Sequence, residues 1–361
     1  MLAALDRKFL GDVFVKVPAE RGRLSLLKKG GKKMTIQTER LALRPMRQED
    51  LAGLQEMLFD ERVMYAYEHR FTPEDAQAWL LRQQRRYRED GFGLWAMVER
   101  QSGEMVGQAG ITWQDCEGER VLEIGYLLQY RHWHKGFASE AAAACRDYAF
   151  EKLGAARVHS IIKEDNFASQ RVARRVGMRP VKSFLATYYN GPVRHILYAL
   201  NRPWSGQDRR GNPLLIRDCR EQDWEAIARV HDEARKQELA LAGLQQAFLP
   251  LEIAAKREGL LNYPGLFVAK TGGEVAGFAA CSKEELAWLY VDPSRARRGI
   301  GQALCRYALQ AFPGIHTVEV LKGNEPARKL YESLGFSAGQ TLRGRMPGNE
   351  QFAVEIYQLT K

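Results

Sequence analysis

The chain has 361 residues, a length that favours two domains, and its 45% hydrophobic and 27% charged residues are typical of a globular protein. The formal net charge is +10, but residues 1–34 hold nine cations and three anions, so the remainder offers little charge-based argument for nucleic-acid binding. No apolar run approaches the ~20 residues of a membrane helix, and the five cysteines form no CxxC pair, which argues against a metal or disulfide framework and favours the cytoplasm.

Residues 1–34 form a basic leader that ends in the run LLKKGGKK before Met34. Such a segment cannot bury a core, and we expect it to be disordered. It has two interpretations. It is either a basic tail for a membrane surface or RNA, or an upstream extension wrongly joined to a chain that starts at Met34. We favour the second interpretation, because segments without folding signals are set aside before the fold is considered.

Three blocks of the sequence occur twice in the same order, with offsets of 158 to 173 residues. The pairs are 43–54 with 216–227, 121–142 with 286–304, and 166–178 with 324–336. Repeated blocks in one order indicate one fold present twice. We therefore expect domains at 35–200 and 213–361. The run NRPWSGQDRRGNP between them has the composition of a linker, which we place at 201–212.

The middle block of each copy predicts a strand, a basic loop, a Gly-x-small turn and a helix. In the second copy, Gly299 and Gly301 open the helix after three arginines. Glycines at a helix start let backbone N–H groups approach an anion, and the helix dipole favours phosphate there. A tight strand–helix turn without a ligand is the plainer interpretation of a lone GxG. The order of strand, basic loop and helix favours the phosphate site.

The segment WLYVDPSRARRGIGQAL resembles the acetyl-CoA motif Q/R-x-x-G-x-G/A of the GNAT acetyltransferases, and HWHKGFASEA in the first copy fits it with Gly136 and Ala138. TERLALRP, EIGYLL and KGFASEA are similar to the branch of ribosomal-protein N-terminal acetyltransferases. The resemblance implies an α/β class, with two tandem GNAT acyl-CoA N-acyltransferase folds on mixed sheets. Each central pair of strands would splay near Leu128 or Val291. Trp133 and Ala296 depart from the motif, because they occupy its Gln/Arg position.

The same resemblance implies that acetyl-CoA is the co-substrate, with no metal. Backbone amides of each turn would bind its pyrophosphate. These amides belong to His134, Lys135, Gly136, Phe137 and Ala138 in the first copy and to Arg297, Arg298, Gly299, Ile300 and Gly301 in the second. The pantetheine arm would lie along strand residues Leu128, Leu289 and Val291 and near the helix-opening Asn166 and Asn324. His134 is a poor zinc ligand, because neither it nor His132 has spaced Cys, Asp or Glu partners.

Transfer of an acetyl group to an amine needs a neutral amine, a donor to the oxyanion, and a proton for the departing thiolate. The family implies a hydroxyl as the acid and a carboxylate as the base. The candidates are Tyr331 and Glu285 in the second copy, and Ser169 and Glu123 in the first. Each has a plainer interpretation. Tyr331 would be a core aromatic, Ser169 a helix hydroxyl bonded to backbone, and the glutamates solvated strand charges.

The helix of the second copy bears on the first of these alternatives. Leu330 and Leu334 are apolar at positions i and i+4, so we expect them to form its core face and Tyr331 to lie off that face. This arrangement favours the catalytic interpretation of Tyr331.

Three functions remain open. In the first, the chain is an N-acetyltransferase whose acceptor is a primary amine, either at a protein N terminus or on a small molecule. Alternatively, one domain binds acyl-CoA and modulates the other, or the chain is a non-enzymatic interaction protein. We favour the enzyme, and if one domain is inactive we expect it to be the first. The acceptor loops are 59–72, with Tyr65, Tyr67, His69 and Arg70, and 238–263. The acceptor and the oligomeric state are not legible in the sequence.

Overall fold

A computed structural model describes residues 35–67, 69–188 and 191–361. The basic leader predicted at residues 1–34 lies outside the described part of the chain. The chain divides into two compact units, with the division after Leu200. No helix in the described residues is long and apolar enough to cross a bilayer.

The first unit is an eight-stranded sheet packed with five helices. Its strands are β1 (Ile36–Gln37), β2 (Leu41–Arg44), β3 (Leu94–Glu99), β4 (Met105–Cys116), β5 (Glu119–Leu128), β6 (Arg157–Lys163), β7 (Arg179–Tyr188) and β8 (Gly191–Asn201). Its helices are α1 (Leu51–Leu58), α2 (Glu61–Met64), α3 (Pro73–Glu89), α4 (Phe137–Glu151) and α5 (Phe167–Arg175). The strand order is β1-β2-β3-β4-β5-β6-β8-β7, and β5 and β6 run parallel.

The second unit repeats this architecture. Its strands are β9 (Trp204–Gln207), β10 (Pro213–Asp218), β11 (Gly265–Thr271), β12 (Glu274–Cys281), β13 (Glu285–Val291), β14 (Thr317–Leu321), β15 (Ser337–Met346) and β16 (Asn349–Thr360). Its helices are α6 (Trp224–Leu241), α7 (Leu251–Arg257), α8 (Ile300–Ala311) and α9 (Glu325–Glu332). The order β15-β16-β14-β13-β12-β11-β10-β9 matches the first sheet, with β13 and β14 parallel. The predicted α/β class with one fold present twice is confirmed.

The repeated opening block is explained by an ion pair. Arg44, at the end of β2, donates from both terminal nitrogens to the carboxylate of Asp50, at 2.7 Å each. Arg217, at the end of β10, makes the same two bonds to Asp223, at 2.6 and 2.9 Å. Asp223 also accepts from the backbone N–H of Arg220. The pair therefore fixes the turn that leads from the strand into α6.

The prediction that residues 201–212 form a linker is wrong, because this segment contains β9, a strand of the second sheet. Residues of β9 pair antiparallel with β10, from Trp204 opposite Ile216 to Gln207 opposite Pro213. The Asp208 carboxylate accepts from Asn212 and from the backbone of Arg210, which closes the turn. The Pro, Gly and polar residues that suggested a linker are those of a hairpin turn.

The central parallel strands stay paired at one end only. Strand β5 meets β6 at Glu123 opposite His159, although β5 continues to Leu128. Strand β13 meets β14 at Glu285 and Leu286 and continues to Val291. Each sheet therefore opens into a cleft, as expected near Leu128 and Val291.

Glu123 lies at the point where the first sheet opens. Its side chain is fully buried, and Oε1 accepts from the backbone N–H of Ile161 on β6, at 3.1 Å. Within the described residues Oε2 has no hydrogen-bond partner. Burial raises the pKa of Glu123 to about 7. Glu123 thus supplies a hydrogen-bond acceptor for a backbone amide that the diverging strands no longer pair.

The raised pKa makes stability depend on pH. The glutamate titrates near its ordinary pKa of 4.5 in the unfolded chain and near 7 in the folded one, so the folded state loses stability as pH rises across this window. The loss amounts to about 3 kcal/mol. Glu123→Gln does not titrate and keeps the acceptor for Ile161. In urea unfolding, its stability relative to wild type should rise between pH 4.5 and 7, while the exposed Glu39→Gln stays parallel to wild type. A constant difference would contradict the burial argument.

We propose that the second unit begins at Asn201, whose N–H and Nδ2 donate to Asp218 at 2.7 and 2.8 Å. Tyr307 also donates to the carbonyl of Arg202, at 2.9 Å. Fragment 213–361 lacks these bonds and β9. It should melt about 5–10 °C below fragment 201–361, since each such bond contributes about 1 kcal/mol. Thermal melting by circular dichroism compares the two. Equal melting temperatures would instead support the prediction that residues 201–212 are a linker.

Candidate functional site

The two glycine turns share an unusual backbone. His134 and Arg297 have φ angles of 63° and 61°, and Gly136 and Gly299 follow with 84° and 83°. Left-handed residues alternating with right-handed ones turn successive N–H groups toward one concave side, which is an anion-binding arrangement. Helices α4 and α8 begin directly after these glycines. Both turns therefore place a left-handed glycine directly before a helix, as the predicted phosphate sites require.

In the first unit, the predicted site residues other than Glu123 line one cavity of about 450 Å³. They are Leu128, His134, Lys135, Gly136, Phe137, Ala138, Asn166 and Ser169. Val63 and Tyr65, from the predicted acceptor loop, also line it. One cavity thus reaches from the glycine turn to the candidate acid.

The backbone around Ser169 is held from two sides. Asn166 caps α5 by accepting from the N–H of Ser169, at 3.1 Å. The buried Tyr126 donates its hydroxyl to the carbonyl of Ser169, at 2.9 Å. Trp133, the departure from the motif, donates its indole N–H to the carbonyl of Leu128, at 3.1 Å, and so joins the turn to the strand end. The serine side chain is thereby carried on a fixed backbone.

Glu123 is not among the residues that line this cavity in the described structure. Its side chain lies deeper, between β5 and β6, where it accepts a hydrogen bond from the backbone N–H of Ile161. The prediction that it is a solvated strand charge is wrong, because the side chain is fully buried. A role as base remains a prediction, and any contact with an amine would run through water.

The second glycine turn lies against the β9–β10 hairpin. The backbone N–H of Arg209 donates to the carbonyl of Arg298, at 2.9 Å. A Cβ added at Gly299 would lie 3.2 Å from the Arg209 side chain. Arg209, Arg298 and Arg306 line a cavity of about 420 Å³ beside the turn. Arg209 was missed in the sequence because its segment was assigned to a linker.

Leu289, Asn324 and Tyr331 line a different cavity, of about 170 Å³. The described residues around this cavity do not include the glycine turn. The space between this cavity and the glycine turn is narrow, because a Cβ added at Gly301 would lie 3.3 Å from Leu330 and 3.5 Å from Val291. The described cavity around Tyr331 thus does not reach the glycine turn, whereas the cavity of the first unit joins Ser169 to its turn.

The prediction that Leu330 and Leu334 form the core face of α9 is wrong. Tyr331 is its buried residue, and its ring packs edge-on against Phe336 with centroids 6.2 Å apart. Leu330 and Leu334 are only half-buried. Burial raises the pKa of Tyr331 well above its usual value, so the phenol stays protonated. Tyr331 is at once a core aromatic and a lining residue of the cavity.

Glu285 does not line the described cavity around Tyr331. It is half-buried at the start of β13, where burial and the neighbouring Glu319 raise its pKa. The carboxylates that do line the cavity are Glu238, Glu258 and Glu319, with Arg235 donating to Glu238. Glu238 and Glu258 fall within the predicted acceptor segment 238–263, but no separate role was predicted for either of them.

No group of three or more His, Cys, Asp or Glu side chains could hold a metal ion in the part of the chain that the structure describes. His134 stands at the left-handed position of the first turn, where it lines the cavity beside Lys135 and Gly136. The left-handed turn therefore explains why His134 lies at this position.

Two family models match the chain. Both describe an acetyltransferase (GNAT) domain, over residues 40–179 and 262–338. An uncharacterized protein YkkB of Bacillus subtilis is 38% identical over 162 residues, which are 45% of this chain and 93% of that protein. The uncharacterized N-acetyltransferase YnaD of the same species is 31% identical, over 40% of this chain and 83% of its own length.

Two further similarities are more limited. Peptidyl-lysine N-acetyltransferase YiaC of Escherichia coli is 37% identical over 81 residues, or 22% of this chain and 55% of that protein. A GNAT acetyltransferase structure from Bacillus anthracis is 27% identical, with a TM-score of 0.41, covering 46% of this chain and 98% of that chain. Given the matched turns, the repeated fold, the two family models and the two Bacillus subtilis relatives, the chain belongs to the GNAT acetyltransferase family, with two such domains in tandem.

Proposed function

We propose that the chain transfers an acetyl group from acetyl-CoA to a primary amine, and that the first unit carries out the transfer. The observation that supports this proposal is the cavity of about 450 Å³ that joins the glycine turn to Ser169. Donor binding and proton transfer need neighbouring positions, and this cavity supplies both.

The first turn fits a pyrophosphate. The N–H groups of Lys135, Gly136 and Phe137 lie at the unpaired start of α4, where the helix dipole favours an anion. Gly136 has the left-handed backbone that this approach requires. Lys135 adds a positive charge in the cavity wall. The bound co-substrate would supply the acetyl thioester.

In the proposed reaction the amine nitrogen forms a bond to the acetyl carbon, and the carbon–sulfur bond breaks. The amine enters neutral, so its nitrogen carries one surplus proton after the attack and loses it to solvent or to a base, with Glu123 as the candidate acting through water. The departing thiolate takes a proton from Ser169, which is 5% exposed, and solvent returns a proton to the serine oxygen, so that one proton passes in net from nitrogen to sulfur. Backbone N–H groups of β5 beyond Glu123, left unpaired by β6, are candidate donors to the oxyanion.

The acceptor is a protein N terminus or a small-molecule amine. The similarity of YiaC, whose name gives peptidyl-lysine as its substrate, supports a protein amine within this range. Tyr65 is 41% exposed where it lines the cavity, and its ring can contact the acceptor. An acceptor screen with free-thiol detection identifies the amine.

The alternative function gives the second unit a regulatory role. It is supported by the separation between its glycine turn and Tyr331, which line different cavities. This reverses our sequence-based expectation that the first copy would be the regulatory one. Tyr331 and Glu285 remain candidates for catalysis only if the second unit opens between Leu330 and Val291.

Matched glycine variants compare the two turns. Gly136 and Gly299 have nearly equal φ angles, so valine imposes the same backbone strain at each. Acetyl-CoA at about 100 times its Kd should stabilise the wild type by about 2.7 kcal/mol. Gly136→Val should lose this stabilisation and Gly299→Val should keep it, measured as the ligand-dependent Tm shift of the full chain. Loss only in Gly299→Val would assign the donor to the second unit.

Ser169→Ala removes the proposed proton donor. Turnover should fall by about 10²–10⁴-fold, while acetyl-CoA affinity stays close to wild type, because the hydroxyl acts in the transfer and not in binding. Free-thiol release with the best amine of the screen measures kcat. Ser183→Ala, exposed on β7, is the control. Full turnover in Ser169→Ala would remove the serine from the mechanism.

A further inference from the structure

A basic cavity of the second unit lies between the β9–β10 hairpin and α8. Its volume of about 420 Å³ is within the ~300–1,000 Å³ typical of sites for small ligands. One face of α8 lines it with Gln302, Arg306 and Gln310. Gly301 lies on the other face, where an added Cβ would be 3.5 Å from Val291. The body of α8 therefore separates this cavity from the cleft at Val291.

The arginines of the lining have few partners. Arg209, Arg298 and Arg306 line the cavity, and no Asp or Glu is among the described residues that do so. Arg209 donates to the amide oxygen of Gln302 at 3.4 Å, and Arg306 makes no hydrogen bond or ion pair with any residue that the structure describes. Arg298 donates to the carbonyl of Ser294 at 3.2 Å, but its Nε is buried and has no partner within the same residues. A buried donor without an acceptor is costly, and an anion would relieve that cost.

One carboxylate close to Arg298 is already bound. Hydrogen bonds from Asn212 and the charge of Arg298 lower the pKa of Asp208. Asp208 accepts from Asn212 and from the backbone N–H of Arg210 inside its own turn, and it does not line the described cavity. This carboxylate thus holds the hairpin turn and leaves the lining of the cavity positive.

The first unit has an arginine at the equivalent place, and this arginine has a carboxylate. A Cβ added at Gly136 would lie 3.3 Å from Arg40, and one added at Gly299 would lie 3.2 Å from Arg209. Both arginines thus lie against the glycine that precedes the long helix. In the first unit, Glu140 accepts from Nε of Arg40 at 2.7 Å, and the charges of the pair cancel.

The second unit has an alanine in place of this carboxylate. Counted from the two left-handed glycines, Glu140 of the first unit corresponds to Ala303, and Ala143 corresponds to Arg306. These two positions are together two charges more positive in the second unit. Like charges repel unless an anion lies between them. The difference between the copies therefore points to an anionic ligand in the second.

We propose that this cavity binds the phosphate group of a small ligand between Arg209, Arg298 and Arg306. Planar guanidinium groups match the geometry of phosphate oxygens, and Gly299 brings the positive end of α8 to the same cavity. Trp204 lines the cavity and is 38% exposed, so its ring offers a stacking surface for a base attached to that phosphate. The inference goes beyond the proposed acetyl transfer, because it concerns a second ligand and does not depend on which unit is the enzyme.

Calorimetric titration of the full chain, at pH 8 and constant ionic strength, tests the site with inorganic phosphate, uridine 5′-monophosphate and uridine. The two phosphate compounds should bind, and uridine should not. A preference for the nucleotide of about 10-fold or more identifies a nucleotide as the ligand, because a base stacked on an aromatic ring adds to the affinity. Equal affinity of the two identifies free phosphate as the ligand.

Matched arginine variants locate the binding. Arg306→Gln should weaken binding of both phosphate compounds about 10–100-fold, because it removes a charge-assisted hydrogen bond. Arg306 is exposed, so the variant keeps the fold. Arg210→Gln removes the same charge from the hairpin turn, outside the lining, and should leave the affinity close to wild type.

A third variant transfers the carboxylate of the first unit. Ala303→Glu keeps all three arginines of the lining. It should nevertheless weaken phosphate binding, because the new carboxylate would pair with Arg209 as Glu140 pairs with Arg40.

Four results would overturn the proposal. They are the absence of phosphate binding, equal losses in Arg306→Gln and Arg210→Gln, binding of uridine as tight as that of its phosphate, and competition by saturating acetyl-CoA. The last would assign the cavity to the co-substrate. None of them changes the expected loss of turnover in Ser169→Ala, so failure of this site is distinguishable from failure of the proposed transfer.

Discussion

The structure of each unit depends on one constraint, which is that the central parallel strands stop pairing soon after they meet. Backbone groups beyond Glu123 and Glu285 lose their ladder partners, and a buried polar group without a partner is costly. The first unit meets part of this demand with side chains. Glu123 accepts from Ile161, and Ser160 donates to Ile124 at 2.8 Å. The remaining edge, at Tyr126 to Leu128, lines the cavity, and in the proposed function acetyl-CoA would bond to it.

The two copies use the same backbone differently. The turn before each long helix has matching φ angles, yet the residues behind it differ in size. The second copy has Gly301, with Leu330 and Val291 so close that an added Cβ would lie 3.3–3.5 Å from them. The first copy has Ala138 at the corresponding position, beside an open cavity. The position two residues after the left-handed glycine therefore has room for a Cβ in the first copy and little room for one in the second.

Much of the fold could be predicted from the sequence, because the repeat and the glycine turns are local patterns. Asn166 and Ser169 were predicted from a short motif, and they do line the cavity with the turn. The buried face of α9 was not predicted, since Leu330 and Leu334 carry a stronger periodic signal than Tyr331. Glu258 lies within the predicted acceptor segment 238–263, but its place in one cavity with Tyr331 was not predicted, because only the tertiary fold brings the end of α7 beside α9.

The contact between Arg209 and the carbonyl of Arg298 has a consequence for engineering this chain. The composition of residues 201–212 invites a designer to replace them with a flexible glycine–serine spacer when grafting other domains onto either half. Such a chimera would remove an edge strand and expose the segment that precedes α8. The composition of residues 201–212 therefore does not mark a segment that is safe to replace, because Asn201, β9 and the turn at Asp208 are all bonded within the second unit.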